Sequence, residues 1–230
     1  MICVICLAPV TPDFNWTYLL SKEPECYLCT ACKEKLEVIK GESCRICGRP
    51  LYLLDAVHVK DGRCHDCRRW DESVEWKGIL ESNQSLFLYN DFLKETIARF
   101  KYRGDFRIAA SFLSFLPKNL GKNKVVIPIP LSDERLYERG FNQVEAVLFY
   151  AKIPYLNCLV RLHSEKQSKK TRKERLQIEN LFSLEQKEQI IAQDILLVDD
   201  IYTTGSTLRN AAKVLKEAGA KSITSFTIAR

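Results

Sequence analysis

The stretch ILLVDDIYTTGSTL, Ile195 to Leu208, runs four apolar residues into two aspartates and then into a loop of threonine, glycine and serine. A short continuous apolar run of this kind reads as a strand buried on both faces, as in a parallel sheet covered by helices. In an open sheet of that type ligands sit beyond the carboxyl ends of the strands, which places Asp199 and Asp200 at a binding site. The TTGST loop then opens a helix. Free backbone N–H groups, the hydroxyls of Thr203, Thr204, Ser206 and Thr207, and the positive helix end all favour an anion there, and Gly205 lets the backbone come close to it. A phosphate fits the loop. Two carboxylates beside it need hydroxyl groups or Mg2+ as partners, and a sugar phosphate supplies both, with ribose hydroxyls for the acids and a 5'-phosphate for the loop.

Outward from that stretch the same alternation repeats. SLFLYN reads as a strand, and DFLKETIARFKYRG as a helix with Asp91 as N-cap and Gly104 beyond its end. RIAASFLSFLP predicts a second helix stopped by Pro117, VVIPIP a buried strand and NQVEAVLFYAK a helix. DILLVDD, GSTLRNAAKVLKEAG and KSITSFTIAR predict strand, helix and strand. Short apolar strands alternating with helices imply a parallel α/β sheet. The polar stretch 68–84 reads as a connector, and the chain divides into a cysteine-rich module at 1–70, a linker at 71–84 and an α/β domain at 85–230.

Nine of the ten cysteines precede residue 68. Cys3/Cys6, Cys29/Cys32, Cys44/Cys47 and Cys64/Cys67 form four C-x2-C pairs, a spacing that lets two thiolates from one tight turn grip a single tetrahedral ion. Eight ligands imply two zinc ions. Neighbouring pairs share an ion (Cys3, Cys6, Cys29, Cys32, then Cys44, Cys47, Cys64, Cys67) or the pairs interleave; the first arrangement closes shorter loops and costs less entropy. With four thiolates on each ion no position is open for water, so both zincs read as structural. Cys26 is a spare thiol or a substitute ligand for the first site, His65 decorates its turn, and Cys158 reads as a small core residue.

The chain has 230 residues, 46% hydrophobic and 28% charged, enough for one sizeable core and a small extra module. Its net charge of +6 is uneven: residues 1–85 hold 11 Lys and Arg against 13 Asp and Glu, residues 86–230 hold 24 against 16. Anionic ligands are therefore expected on the second part. No apolar run of about 18 residues appears, and the N-terminus lacks the pattern of a secretory signal, so a cytoplasmic location is expected. The three histidines do not cluster, and no nucleophile stands beside a base.

ILLVDDIYTTGSTL resembles the phosphoribosyl-pyrophosphate (PRPP) binding motif of type I phosphoribosyltransferases, a hydrophobic strand before two acids and a T-T/S-G-x-T loop. The resemblance implies a type I phosphoribosyltransferase-like sheet behind an N-terminal zinc module, with Asp199 and Asp200 on the ribose and Thr203, Thr204, Gly205, Ser206 and Thr207 on the 5'-phosphate. It further implies Mg2+ with PRPP, and a pyrophosphate loop in IPIPLS through backbone amides around Pro130, Leu131 and Ser132. Arg135 and Arg139 either add charge there or pair at the surface with Asp133, Glu134 and Glu138. Lys166 to Arg175 carries six basic residues and one acid. It reads as a mobile loop that closes over PRPP with Arg172 and Arg175, as a solvated basic loop, or as a DNA-backbone contact.

The cysteine pairs, RFKYRGD (Arg99 to Asp105), IPIPLSDERLYERGFNQ (Ile127 to Gln143), KQSKKTRKER and the terminal motif follow the order found in the ComF family of bacterial competence proteins, over nearly the entire chain. That resemblance implies a role in importing transforming single-stranded DNA beside a ComFA-type helicase-like ATPase. Lys101 and Arg103 between Phe100 and Tyr102 offer the cations and aromatics that single strands use, although a buried aromatic helix face with exposed cations explains them as well. Two functions follow: an active transferase on an acceptor that no segment identifies, or a DNA-uptake protein whose site binds PRPP without turnover.

Overall fold

The computed structural model describes residues 1–10, 27–162 and 181–230. Its centre is a four-stranded sheet in the order β3 (Ser82–Phe87), β8 (Ser222–Ala229), β7 (Asp194–Ile201), β4 (Val125–Pro128). All three pairings are parallel, with Ser85 opposite Thr227, Leu197 opposite Ser225 and Val125 opposite Ile195. The period-two geometry of β7 divides the interior. Leu196 and Val198 enter a core with α3 (Asp91–Tyr102), the 3-10 helix Phe106–Phe115 and α5 (Gln143–Tyr150). Ile195 and Leu197 enter the other, with α6 (Ser206–Glu217) and the antiparallel ribbon of β5 (Leu159–Arg161) and β6 (Phe182–Leu184). This is the expected α/β sheet covered on both faces.

The cysteine segments belong to the same two cores. Cys3, Val4 and Ile5 pack with Leu93, Ile97 and Phe100, whereas Cys44, Cys47, Cys64 and Cys67 join the core of α6. Cys32 of the first group stands on α1 (Thr30–Lys35), and around the second group β1 (Val59–Lys60) and β2 (Arg63–Cys64) make a short hairpin that leads into α2 (His65–Glu72). The stretch 68–84 thus holds the end of a helix and the beginning of a sheet strand.

Three local readings change. The N-cap of α3 is Asn90, whose Oδ1 accepts from the Leu93 N–H at 2.9 Å, and Asp91 is the first helical residue. RIAASFLSFLP winds as a 3-10 helix, in which the Ser111 hydroxyl donates to the Ile108 carbonyl at 2.7 Å, three residues back. The SLFLYN strand starts earlier, at Ser82, and stops at Phe87. Asn83 and Ser85 are buried there and satisfied across the sheet: Ser225 Oγ donates to Asn83 Oδ1 at 2.8 Å, and the Ser85 and Thr227 hydroxyls meet at 2.7 Å. Polar residues paired in this way cost little to bury and escape a hydropathy pattern.

Candidate functional site

The carboxyl ends of β4 and β7 open into a cleft of about 300 Å3. Asp199, Asp200, Thr203 and Thr207 line one side and Pro130 and Leu131 the other. Ile129 N–H donates to the Val198 carbonyl at 2.9 Å, which fixes the IPIPLS turn against β7 just before the acids. Ser132 lies at the next step: it caps α4 (Asp133–Arg139), its hydroxyl accepting from the Arg135 N–H at 3.4 Å. Thr204 and Thr203 also line a second cavity of about 410 Å3, opposite Arg69, Trp70 and Trp76, so the loop separates two hollows. The loop's Thr204 hydroxyl accepts from the Ser206 N–H at 3.3 Å.

Gly205 is the N-cap of α6, with φ of 79°, a left-handed conformation that favours glycine. A second reason is steric. A Cβ at this position would collide with the hydroxyl of Tyr202 and with Nη1 of Arg209, which are bonded to each other at 2.8 Å. Arg209 is only 2% exposed; its guanidinium lies 4.6 Å from the Trp70 ring centre, and Arg230 lies 4.5 Å from that of Tyr202. The phosphate-type loop therefore rests on a stack running from β8 through β7 and α6 to the cysteine-bearing helix α2. Sequence reading found the glycine but not the stack, because its members are far apart in the chain.

The two aspartates differ. The Asp200 N–H donates to Asp199 Oδ1 at 2.8 Å, and the Asp200 carboxylate pairs with Lys101 Nζ. Burial and the charge of Asp200 push the Asp199 carboxyl up to about 7, against the pull of Lys101 and Arg161. Lys101 is a correction to the surface-cation reading, since its side chain is 15% exposed and faces the cleft from α3. Arg139 is buried, donates to Gln143 Oε1 at 2.9 Å and lies 5.5 Å from the Tyr102 ring centre. Its Nε has no hydrogen-bond partner among the described residues. Arg135 and Arg161 complete the cationic wall. Arg161 stands on β5 over Phe182, and its lone position in YLNCLVRL carries no signal in the sequence. Arg172 and Arg175, with the rest of the basic segment, lie outside the described residues, as does Cys26.

The eight C-x2-C cysteines gather as two quartets of neighbouring pairs, Cys3, Cys6, Cys29 and Cys32, and Cys44, Cys47, Cys64 and Cys67, with the sulfurs of each within 4.8 Å of one another. Four ligands at about 2.3 Å around a tetrahedral zinc lie roughly 3.8 Å apart. Cys6 and Cys29 sulfurs stand 3.5 Å apart and those of Cys47 and Cys64 3.6 Å, which fits such an ion. The second quartet is wholly buried; the first leaves Cys6 exposed. Gly48 has φ of 67°, and a Cβ there would stand 2.9 Å from the Asn83 carbonyl, so the cysteine turn sits directly on β3. Asn83 N–H donates to the Ile46 carbonyl at 2.6 Å and Arg230 Nη1 to that of Cys47 at 2.9 Å. His65 lies outside the quartet and its ring faces His58. Cys158 is buried in the core, and burial pushes its thiol up to about 11.

Comparison with known proteins agrees with this geometry. The phosphoribosyl transferase domain model matches residues 143–230, from α5 through the loop to the last strand. Competence protein ComFC of Bacillus subtilis is 39% identical over 236 aligned positions, covering 100% of this chain and 95% of that protein. Competence protein ComFC of Streptococcus pneumoniae is 36% identical, with 100% of both chains covered. Competence protein F of Haemophilus influenzae is 29% identical over 88% of this chain and 90% of its own. Identity at that level from end to end, on a phosphoribosyltransferase-like sheet behind two cysteine quartets, means that the chain belongs to the ComFC family of competence proteins.

Proposed function

We propose that the cleft binds PRPP and that the protein serves, in the cytoplasm, the import of transforming single-stranded DNA. The observation that carries the reading is the opposition of acid and base across one cleft: Asp199 and Asp200 close the end of β7 while Arg135, Arg139 and Arg161 face them. In this reading the acids hold the ribose hydroxyls, residues 203–207 hold the 5'-phosphate at the start of α6, and the Pro130–Ser132 turn with the arginines receives the pyrophosphate. Oxygen ligands and a polyphosphate suit Mg2+, which the pyrophosphate would carry into the site. The buried Nε of Arg139 is consistent with a site whose anion supplies the missing acceptor.

The role in DNA uptake rests on the family, whose members carry the name competence protein. A ComFA-type helicase-like ATPase and single-stranded DNA are the proposed partners. The cysteine quartets, as zinc sites without an open position, serve structure. Among the described residues no helix is long and apolar enough to cross a membrane.

The test is a calorimetric titration of the full chain with PRPP and Mg2+ beside the Asp199→Asn, Asp200→Asn double variant. Saturable binding that the double variant loses is expected. Equal affinity in both proteins would remove the site assignment.

A further inference from the structure

The phosphate-type loop is tied at its neck. Tyr202 stands directly before Thr203 and Arg209 shortly after Thr207, and the bond from Arg209 Nη1 to the Tyr202 hydroxyl joins the two flanks at 2.8 Å. Gly205 rests against that bond with no room for a Cβ, so the pair determines where the amides of the loop stand. Both members are buried, Tyr202 at 3% exposure and Arg209 at 2%. From each of them a line of contacts leads away from the loop to the same place.

From Tyr202 the line runs through Arg230, whose guanidinium lies 4.5 Å from the phenol ring centre and whose Nη1 donates to the Cys47 carbonyl at 2.9 Å. From Arg209 it runs to the Trp70 ring, 4.6 Å from the guanidinium, on the same helix α2 that carries Cys67. The two ends thus reach different halves of one quartet, Cys47 in the Cys44/Cys47 turn and Cys67 in the Cys64/Cys67 pair. The four sulfurs are buried and within 4.8 Å of one another, so an ion among them bonds the turn to the helix. It thereby fixes the spacing of the two supports that carry the Tyr202–Arg209 bond. The Arg49–Asp66 ion pair also joins the two halves, but with side chains 30% and 50% exposed it holds them weakly. Cys3 and Cys32 of the first quartet lie in the other core, with Leu93 and Ile97.

We infer that the quartet of Cys44, Cys47, Cys64 and Cys67 is a positioning centre for the phosphate-type loop, and that zinc held there sets the affinity of the loop for the phosphate of PRPP. Arg230 and Tyr202 carry the effect on one side, Trp70 and Arg209 on the other. The inference rests on the PRPP reading above and adds a regulation of that site. Coupling between two sites is reciprocal, so PRPP must hold the quartet together as strongly as the filled quartet holds the loop. Loss of this one ion weakens PRPP binding while leaving Asp199 and Asp200 in place.

The experiment uses the full chain with cobalt(II) in place of zinc, because cobalt bound by four thiolates absorbs visible light and its spectrum follows the arrangement of the sulfurs. Wild type is compared with Tyr202→Phe, which opens the neck, and with Arg230→Met, which releases the Cys47 end, so that the result does not depend on the folding of one variant. PRPP binding is followed in the same samples by calorimetry. PRPP with Mg2+ should shift the cobalt spectrum of wild type, and a chelator should take the slowly released metal about ten-fold more slowly at saturating PRPP. In both variants, saturated with PRPP, the spectrum should stay unchanged and the protection should fall away. A ligand that merely stabilises the whole fold slows metal loss without moving the spectrum, so the spectrum decides. PRPP binding with an unmoved wild-type spectrum overturns this inference and leaves the PRPP site standing. An equal shift in wild type and both variants also overturns it. Absence of PRPP binding by wild type would overturn both readings together.

Discussion

Arg209 Nη1 donates to the Tyr202 hydroxyl at 2.8 Å in the very space that a side chain on residue 205 would occupy. The conformation of the phosphate-type loop is therefore set from below, by a buried bonded pair, as well as by the left-handed backbone of its glycine. Gly205→Ala should cost at least about 1–2 kcal/mol from the backbone alone, and more from the collision. A lower melting temperature and weaker PRPP binding are expected. Tyr202→Phe removes the nearest colliding atom, so Gly205→Ala with Tyr202→Phe should lose less stability than the sum of the two single changes. An additive cycle in thermal unfolding would argue against the collision.

The Asp199 carboxyl titrates at about 7 in the fold, from an ordinary value of 3.8, because burial and Asp200 oppose its charge. Between those two values the folded state holds more proton than the unfolded chain, so stability falls as pH rises through the window and levels off above about 7. Asp199→Asn should flatten that slope and make the protein relatively more stable at pH 8. Ligand binding has the opposite sign, since ribose hydroxyls and Mg2+ favour the carboxylate. PRPP affinity should rise from pH 6 to 8 with release of a proton, detectable as a dependence of the binding enthalpy on buffer ionisation heat.

Lys101 is in contact with Asp200. Removing it in Lys101→Met leaves the two carboxylates facing each other with less compensation, which should push the Asp199 titration further up. The pH midpoint for PRPP binding is expected to move to higher pH and its Mg2+ requirement to increase. A midpoint identical to wild type would show that Lys101 exerts no field at the acids.

Metal loss should be stepwise. Cys6 of the first quartet is exposed, whereas all four cysteines of the second are buried. A chelator should take one zinc rapidly and the second slowly, as followed by a chromogenic zinc indicator. The second quartet also grips β3 through Ile46, Cys47 and Gly48. Cys47→Ser should accordingly accelerate hydrogen exchange along Ser82–Phe87 and lower the melting temperature more than Cys6→Ser does.

What could be read from the chain alone followed from its local signals. The ILLV run, the DD pair, the glycine loop and the C-x2-C spacing each act within a few residues, and the structure places them as strand, cleft wall, helix start and sulfur quartets. Other features depend on distant partners. Asn83 and Ser85 look like loop residues until Ser225 and Thr227 arrive opposite them, 142 residues later. Lys101 looks like a surface charge until Asp200 meets it, and Arg161 has no local mark at all. Asn90 and Asp91 are both good helix caps, and only the backbone turn decides between them.

The placement of β8 between β3 and β7 has a consequence for how the protein is made. Along the ribosome's order of synthesis, β3 emerges well before its neighbour β8, with β4 and β7 made in between. Until then β3 lacks β8, although the Ile39 N–H can already donate to its Leu86 carbonyl beside the Val38–Phe87 bridge, and the Asn83 and Ser85 side chains lack Ser225 and Thr227. The nascent chain thus carries β3 and β7 as unjoined strands until β8 is made, and the described sheet closes when β8 inserts between them.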